Sequence, residues 1–240
     1  MLMNVLVVVP TYNERENLPD LVRAIVAYQG VRVMVVDDQS PDGTGAVADA
    51  LASEFAGRVT VVHRTGRRGL GRSYVDGLQR AIADGADLIC QMDADFSHDP
   101  KYLPAIIAAA ADHDVVIGSR YLNGVSVVNW PLRRIVLSAF ANRYIRAITG
   151  LRAQDCTSGY RCWRREALAG LPLDGVVSDG YAFLVELLYQ AHRRGARIGE
   201  VPIIFVERKL GVSKLSGSVL LESGVTPWRL RLRSIFRGTP

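Results

Sequence analysis

The first half of the chain alternates β-branched runs with segments of helical spacing, and this alternation restricts the fold more than any other feature. Residues 4–9 and 31–36 are apolar runs typical of strands that are buried on both faces. Residues 17–28, between them, place apolar side chains at the spacing of a helix. The same patterns predict further strands at 59–63, 86–92 and 115–118 and further helices at 44–55, 70–84 and 102–112. Repeated strand–helix units predict an α/β fold whose mostly parallel, twisted sheet carries helices on both faces.

The second half of the chain departs from this rhythm. Its patterns predict a loop over 120–131, helices over 132–148 and 181–194, and a late strand over 198–206. Pro202 places that strand at an edge of the sheet, because proline cannot donate to a central ladder. Residues 217–236 predict a basic, apolar helix or a helix pair broken near Pro227. Since no linker-like stretch interrupts the chain, we expect one domain over residues 1–216, followed by a basic amphipathic segment over residues 217–240.

The charge, the cysteines and the apolar segments of the chain limit which partners and which compartment we expect. The 240 residues carry a net charge of +5 with a pI of about 9.3, which suits phosphorylated substrates, anionic membranes or nucleic acid. The three cysteines have no metal-ligand spacing, which favours a reduced, cytosolic compartment. No uncharged apolar window reaches the roughly 18 residues that a membrane-spanning helix needs, so we expect none.

Two carboxylates stand out at the end of the fourth predicted strand. Asp93 and Asp95 lie two residues apart where that strand ends, and Asp37 and Asp38 end the second strand. Because parallel strands run in the same direction, we expect both pairs of aspartates at the carboxyl edge of the sheet, where ligands bind in such folds. Helix capping and turn formation are the alternative roles for such residues. The pair at 93 and 95 predicts a site for a hard divalent cation that bridges to a nucleotide diphosphate.

Cationic residues follow the fifth predicted strand. Arg120 lies at the same sheet edge, and Arg134 and Ser138, four residues apart, share one helix face. Further cations come later at Arg208, Lys209 and Lys214. Arginine and lysine bind phosphate well, although each residue taken alone would be interpreted as a solvated surface charge. Together with the two pairs of aspartates, these cations predict a site for more than one phosphate group.

Several other kinds of site are absent from the sequence. The turn at Gly66–Gly71 fits neither a phosphate-binding loop nor the dinucleotide fingerprint, and no Ser/His/Asp triad is present. His98 either touches a substrate phosphate or is a turn residue without a ligand role. The acidic sheet edge would repel nucleic acid, so we expect no nucleic-acid partner.

Taken in order along the chain, these motifs resemble those of the dolichol-phosphate and polyprenol-phosphate mannose synthases, which are inverting GT-A glycosyltransferases. The matching segments cover nearly residues 4–216 and are 9–14, 36–38, 40–44, 92–95, 118–121, 129–131, Asp155 with 157–161, 200–203, and 207–208 with 211–214. The segments at 129–131 and 211–214 favour the branch that uses a lipid phosphate. The resemblance implies a Rossmann-like GT-A sheet with C-terminal amphipathic interface helices.

The resemblance also implies roles for individual residues. The nucleotide-sugar would be bound by Pro10, Tyr12, Glu14, Asp37, Asp38, Asp93, Ala94, Asp95, Arg208 and Lys214. The acceptor phosphate would be bound by Arg120, Arg134 and Ser138. Mg²⁺ or Mn²⁺ would be held by Asp93 and Asp95, and Ser97 stands where many members have a further glutamine ligand. Asp95, Arg120 and Arg134 would carry the catalysis.

The reaction implied by the resemblance is mannosyl transfer from GDP-mannose to a polyprenyl or dolichyl monophosphate, with inversion. A phosphate monoester has a second pKa near 6, so the acceptor is already a nucleophilic dianion at neutral pH. No general base is required, in agreement with the missing triad. A transferase using UDP-glucose or another donor and a nucleotide-binding regulatory module without transfer activity are the alternatives.

Two segments predict contact with a membrane surface. Residues 132–137 and 228–236 interleave cations with apolar or aromatic residues, which is typical of helices lying in the interface. Ordinary amphipathic packing is the alternative. We expect a peripheral protein on the cytoplasmic face of the membrane, and whether a membrane-anchoring subunit assists it is left open.

Overall fold

The computed structural model describes residues 3–175, 182–207 and 217–236 of the chain. In these residues the strands are β1 (Val5–Thr11), β2 (Val31–Asp37), β3 (Val59–His63), β4 (Leu88–Gln91), β5 (Val115–Ser119), β6 (Val127–Val128), β7 (Arg161–Arg164), β8 (Ile198–Pro202) and β9 (Phe205–Val206). The helices are α1 (Leu18–Val26), α2 (Thr44–Glu54), α3 (Leu70–Ala83), α4 (Leu103–Ala109), α5 (Leu132–Thr149), α6 (Arg165–Ala169), α7 (Ala182–Arg193) and α8 (Gly217–Phe236). Every helix and strand predicted from the sequence has a counterpart among these elements.

The main sheet has seven strands in the order β3-β2-β1-β4-β7-β5-β8. Its neighbours pair in parallel except around β7, which is antiparallel to both β4 and β5. The sheet is therefore mostly parallel, as predicted, but the antiparallel strand was missed. Arg161, its first residue, is fully buried and donates to the carbonyl groups of Cys156, Ser158 and Leu184. Because β7 begins and ends with arginine, it contains no continuous apolar run, and a prediction based on apolar runs misses it.

Helices cover both faces of the sheet. In β1, Leu6 and Val8 belong to one hydrophobic core, whereas Val5, Val7 and Val9 belong to the other. This alternation follows from the period of two in a strand. The continuous apolar run of β1 therefore reflects burial on both sides, which confirms the layered α/β architecture.

The late strand predicted over residues 198–206 is two strands in the structure. β8 lies at the edge of the main sheet, as Pro202 predicted. β9 pairs with β6 in a separate two-stranded sheet, and β6 lies within the segment predicted as a loop. Strands of two residues are too short to leave a periodic signal. Their pairing nevertheless brings the segments around Trp130 and Glu207 together.

The C-terminal segment packs against the rest of the chain through α8, a single helix that contains Pro227 and is not a helix pair. Thr226 and Leu230 are buried, and α8 contacts α5 and α7. Tyr144 of α5 donates to the carbonyl of Gly224 at 2.8 Å and accepts from the indole N–H of Trp228 at 3.0 Å. The division at residue 216 stays a prediction. Among the helices described, none is long and apolar enough to cross a membrane.

Candidate functional site

The loops that follow β1 and β2 are tied together at the carboxyl edge of the sheet. Asp37, at the end of β2, accepts hydrogen bonds from Thr11 Oγ1 at 3.1 Å and from Ser40 Oγ at 2.6 Å. Asp38 donates its N–H to the Thr11 carbonyl at 2.9 Å. Because the two strands are parallel and in register, these contacts hold both loops at one edge.

Asp38 also holds the loop that precedes α3. Its carboxylate forms an ion pair with Arg64 and accepts the N–H of Gly69 at 2.8 Å. Asp37 and Asp38 are both buried, and their oxygens contact protein donors. The structure thus places the two aspartates at the predicted edge, where their hydrogen bonds connect the loops after β1 and β2 with the loop before α3.

Tyr12 and Glu14 lie on the loop after β1, as the sequence analysis placed them, and Pro10 is buried within β1. Arg68 donates to the Tyr12 hydroxyl at 2.7 Å, and its guanidinium carbon lies 5.2 Å from the centre of the tyrosine ring. Glu14 accepts from the Asn17 amide at 2.9 Å. The glycine-rich turn that had no assigned role therefore lies against Tyr12.

The acidic pair lies directly beyond β4. Tyr74 of α3 donates its hydroxyl proton to Asp93 Oδ1 at 2.6 Å. Asp95 Oδ1 accepts from the N–H and the hydroxyl of Ser97, at 3.1 Å and 2.6 Å. Both carboxylates line one cavity, and Ala94 between them is buried. Protein donors thus orient both carboxyl groups before any ligand arrives.

Unusual backbone geometry occurs in the loops at this edge. The non-glycine residues with positive φ in the described part of the chain are Asn13, Gln39, Phe96 and Asn129. Phe96 has a φ of 59°, although bulky residues rarely enter the left-handed region. Such strain persists where the surrounding structure enforces it and is common at binding sites.

His98 supports the turn that carries Asp93. Its Nδ1 accepts the N–H of Asp93 at 3.0 Å, and its ring stacks on Tyr160 with centroids 5.1 Å apart. Burial lowers the pKa of His98 and outweighs the opposing effect of the nearby carboxylates, so the ring is neutral at neutral pH. The histidine therefore has a structural contact as well as a place in the wall of the cavity.

Arg120 lies in a buried ion pair beyond β5. Its Nε and Nη2 donate to the two oxygens of Asp155 at 2.6 Å and 2.7 Å, and Nη2 also donates to Thr157 at 2.7 Å. Burial alone would raise the pKa of Asp155, but the charge and hydrogen bonds of Arg120 lower it overall. Glu200 accepts the backbone N–H groups of Gln154 and Asp155, which fixes the loop that carries this carboxylate.

Arg134 lies on the first turn of α5, where its guanidinium carbon is 4.0 Å from the centre of the Trp130 ring. It forms an ion pair with Glu207, and Ser138 lines the same cavity one turn further along. The structure therefore brings Arg120, Arg134 and Ser138 into one wall. The predicted ligands Arg208 and Lys214, together with Lys209, lie outside the described residues.

A single cavity of about 410 Å³ connects these groups. Asp93, Asp95, Arg120 and Arg134 contribute the charged part of its lining. Side chains of α5 and α7 contribute an apolar part, which comprises Leu137, Phe140, Ala141, Tyr144, Ile145 and Val185, and α8 adds Gly224 and Thr226. The arrangement can receive a cation and anionic groups at its charged lining and a hydrocarbon chain at its apolar lining.

The pair of carboxylates fits a divalent cation that shares its coordination with a substrate. Within the described ranges, no group of three or more histidine, cysteine or acidic side chains is positioned as a metal site. Asp93 and Asp95 provide two carboxylates, and Mg²⁺ is typically held by one or two carboxylates together with substrate phosphates. Oxygen ligands suit Mn²⁺ equally.

Four residues around the site had no individual role in the sequence analysis. Asp155 and Glu200 fall within motif segments, which could have identified them, but their hydrogen-bond partners lie 35 and 45 residues away. Tyr74 lies inside a predicted helix and has no local signal at all. Glu207 also falls within a motif segment, but only the pairing of β6 with β9 reveals its contact with Arg134.

Comparison with known proteins agrees with this geometry. Residues 6–171 match the model of the glycosyl transferase family 2. The chain is 48% identical over 232 residues to a polyprenol monophosphomannose synthase of Mycolicibacterium smegmatis, covering 95% of this chain and 88% of that protein. It is 45% identical over 234 residues to an undecaprenyl-phosphate mannosyltransferase of Micrococcus luteus, covering 96% of both.

Solved structures show the same fold. Glucosyl-3-phosphoglycerate synthase from Mycobacterium tuberculosis, in complex with Mn²⁺, UDP and phosphoglyceric acid, superposes with a TM-score of 0.65 at 20% identity, covering 99% of this chain and 80% of that one. The predicted GT-A fold is therefore confirmed. By its sequence match over residues 6–171 and by its fold, the chain belongs to glycosyltransferase family 2.

Proposed function

We propose that this protein transfers mannose from GDP-mannose to a polyprenyl monophosphate, with inversion at the anomeric carbon. The observation that carries the proposal is the cavity, whose lining combines a pair of carboxylates, two arginines and apolar side chains of α5 and α7. The carboxylates suit a metal-bound nucleotide diphosphate, and arginines beside apolar side chains suit a phosphate that carries a hydrocarbon chain. The names of the two bacterial relatives support mannose as the transferred sugar and a polyprenyl phosphate as the acceptor.

The donor lies at the pair of carboxylates in this proposal. Asp93 and Asp95 would hold Mg²⁺ or Mn²⁺, and the bound ion would supply positive charge that offsets the charge developing on the leaving diphosphate. The loops built on Tyr12, Glu14 and the Asp37–Asp38 pair surround the nucleotide. Pro10, Ala94, Arg208 and Lys214 complete the proposed donor site.

The acceptor phosphate lies in the cavity against Arg120, Arg134 and Ser138. The first prenyl units then lie against the apolar side chains of α5 and α7. Two anionic substrates repel each other, and the arginines offset that repulsion. Because the phosphate dianion is itself the nucleophile, the protein only has to align it with the anomeric carbon and exclude water.

A donor assay tests the proposal. The full chain is incubated with Mg²⁺, a short-chain polyprenyl phosphate and either labelled GDP-mannose or labelled UDP-glucose, and label in the organic phase is counted. We expect label from GDP-mannose alone, in a β-linked product. Label from UDP-glucose alone would keep the mechanism and change the donor, and an α-linked product would contradict the single displacement.

Removal of one hydroxyl group should weaken metal binding. Tyr74 holds Oδ1 of Asp93, and such outer contacts typically change metal affinity 10- to 100-fold. In the Tyr74→Phe variant, we expect the affinity for Mn²⁺ in the presence of GDP to fall by roughly tenfold. Isothermal titration measures it without any turnover.

The matched control for this variant is Tyr160→Phe. The Tyr160 hydroxyl is directed to the Asp99 carbonyl at 3.4 Å and not to a carboxylate of the pair. Both tyrosines are buried, so the two variants differ mainly in the lost contact. Equal Mn²⁺ affinities in the two variants would contradict the positioning role of Tyr74.

We also propose that the protein binds the cytoplasmic face of the membrane peripherally, through α5 and α8. Exposed apolar side chains recur along one side of α5 at Leu132, Val136, Leu137 and Phe140, and along α8 at Val225, Trp228 and Leu232. Leu132 and Phe140 are 74% and 64% exposed. Large exposed apolar patches of this kind mark contact surfaces.

Charge introduced into this patch should weaken membrane binding. Moving one large apolar side chain out of water contributes about 1.5–3 kcal/mol, so Phe140→Glu should reduce partitioning onto anionic liposomes by at least roughly tenfold. Co-sedimentation measures the bound fraction. Met3→Glu is the control for the added charge, because Met3 is exposed just before β1 and belongs to neither α5 nor α8. An equal loss of liposome binding in both variants would refute the assignment of α5 and α8 to the membrane surface.

A further inference from the structure

The two arginines in the wall of the cavity have different anionic partners. Arg120 is bound by Asp155, which is 0% exposed and accepts its Nε, its Nη2 and its backbone N–H. Arg134 is bound by Glu207 through Nη1 alone, and the two side chains are 25% and 31% exposed. The first pair is locked by burial, whereas the second is open to the cavity.

The open pair can exchange its anion at little cost. Ion pairs that remain partly solvated stabilise a protein by about 0–1 kcal/mol, whereas hydrogen bonds from arginine to phosphate are among the strong ones. Arg134 keeps its position without Glu207, because it lies 4.0 Å above the Trp130 ring and extends from α5. A phosphate dianion can therefore replace the carboxylate on a guanidinium that is already in place.

Glu207 is itself anchored by its backbone and not by its side chain. Its N–H donates to the Val128 carbonyl at 3.2 Å, directly after the β6–β9 pairing. Its carboxylate lines the cavity together with Arg134. Trp130, whose ring lies against the Arg134 guanidinium, lines the same cavity.

We propose that Glu207 competes with the acceptor phosphate for Arg134. Its carboxylate forms an ion pair with Arg134 while the acceptor site is empty, and the phosphate of the lipid displaces it. This inference rests on the proposed function, because it assigns the phosphate to Arg134. The exchange keeps the guanidinium paired in both states. It also discriminates by charge, since a neutral prenol offers nothing to replace the carboxylate.

The exchange and a simple bracing role predict opposite results. If Glu207 only held Arg134 in place, removal of its charge would weaken phosphate binding. If Glu207 competes with the phosphate, removal of its charge tightens phosphate binding. Glu207→Gln keeps the shape and one acceptor oxygen, so it separates the two cases.

The test measures the binding of farnesyl phosphate to the full chain without any donor, by quenching of tryptophan fluorescence and by isothermal titration. We expect Glu207→Gln to lower the Kd by roughly fivefold, the ratio that corresponds to about 1 kcal/mol for a partly exposed ion pair. Farnesol should bind equally to both forms. Glu207→Ala, which lacks the amide, should shift the Kd of farnesyl phosphate in the same direction.

Glu54→Gln is the matched control, because it neutralises a partly exposed carboxylate paired with Arg23 far from the cavity. An unchanged or higher Kd in both Glu207 variants, with normal thermal unfolding, would overturn the exchange. Failure of the unaltered protein to bind farnesyl phosphate would count against the acceptor assignment as well. If the unaltered protein binds farnesyl phosphate and both Glu207 variants bind it with the same Kd, the exchange is overturned but the acceptor assignment is not.

Discussion

The Asp95→Asn variant should lose transfer activity by roughly a thousandfold, about 4 kcal/mol of barrier. Asparagine keeps an oxygen that can accept from Ser97, so the turn around Phe96 is preserved. The change removes one negative charge from the part of the cavity lining where the cation and the diphosphate are proposed to lie. The measurement is the initial rate of label transfer from the productive donor to polyprenyl phosphate.

Asp99→Asn is the control for this variant. Asp99 lies four residues further along, and its carboxylate likewise accepts a backbone N–H two residues ahead, that of Lys101, at 2.9 Å. Its side chain is not in the wall of the cavity described above. A comparable loss in both variants would show that the loop is merely sensitive to substitution. Retention of activity by Asp95→Asn would remove the carboxylate pair from the proposed mechanism.

The second large effect concerns stability. Asp155→Ala should lower the free energy of unfolding by about 3–5 kcal/mol, because it leaves the Arg120 guanidinium buried without its partner. The carboxylate accepts three hydrogen bonds from Arg120 and contacts Thr157, so the loss extends over the loop that Glu200 holds. Urea unfolding of the full chain measures the change.

The Glu54→Gln variant provides the comparison for stability as well. Its ion pair with Arg23 is about half exposed, and such pairs contribute at most about 1 kcal/mol. We expect its free energy of unfolding to lie close to that of the unaltered chain. If Asp155→Ala were as mild as Glu54→Gln, the buried Arg120 guanidinium would not depend on its ion pair with Asp155.

The sequence contained the architecture in its periodicity. Runs such as 4–9 and 31–36 could form little other than doubly buried strands, and parallel strands necessarily end at one edge. The placement of Asp37, Asp38, Asp93 and Asp95 at that edge followed directly. Periodicity could not reveal β7, because the strand begins with a buried arginine, Arg161, whose guanidinium donates to the nearby carbonyl groups of Cys156 and Ser158 and to that of Leu184 in α7.

The individual contacts of the site depended on the tertiary structure. Residue type and order were sufficient to predict Arg120 and Arg134 as phosphate ligands, but not to show that Arg120 pairs with the buried Asp155 and Arg134 with the partly exposed Glu207. These partners lie 35 and 73 residues away in sequence. Tyr74 reaches Asp93 only because α3 packs on the sheet beside β4.

The sequence by itself determined the fold class, the edge of the sheet that carries the acidic and basic residues, and the family resemblance, because local patterns and motif order encode these. Only the tertiary structure decided how α5, α7 and α8 together line the cavity. It also decided which ion pairs are buried and which are partly exposed, since burial and pairing arise between segments that are far apart in sequence.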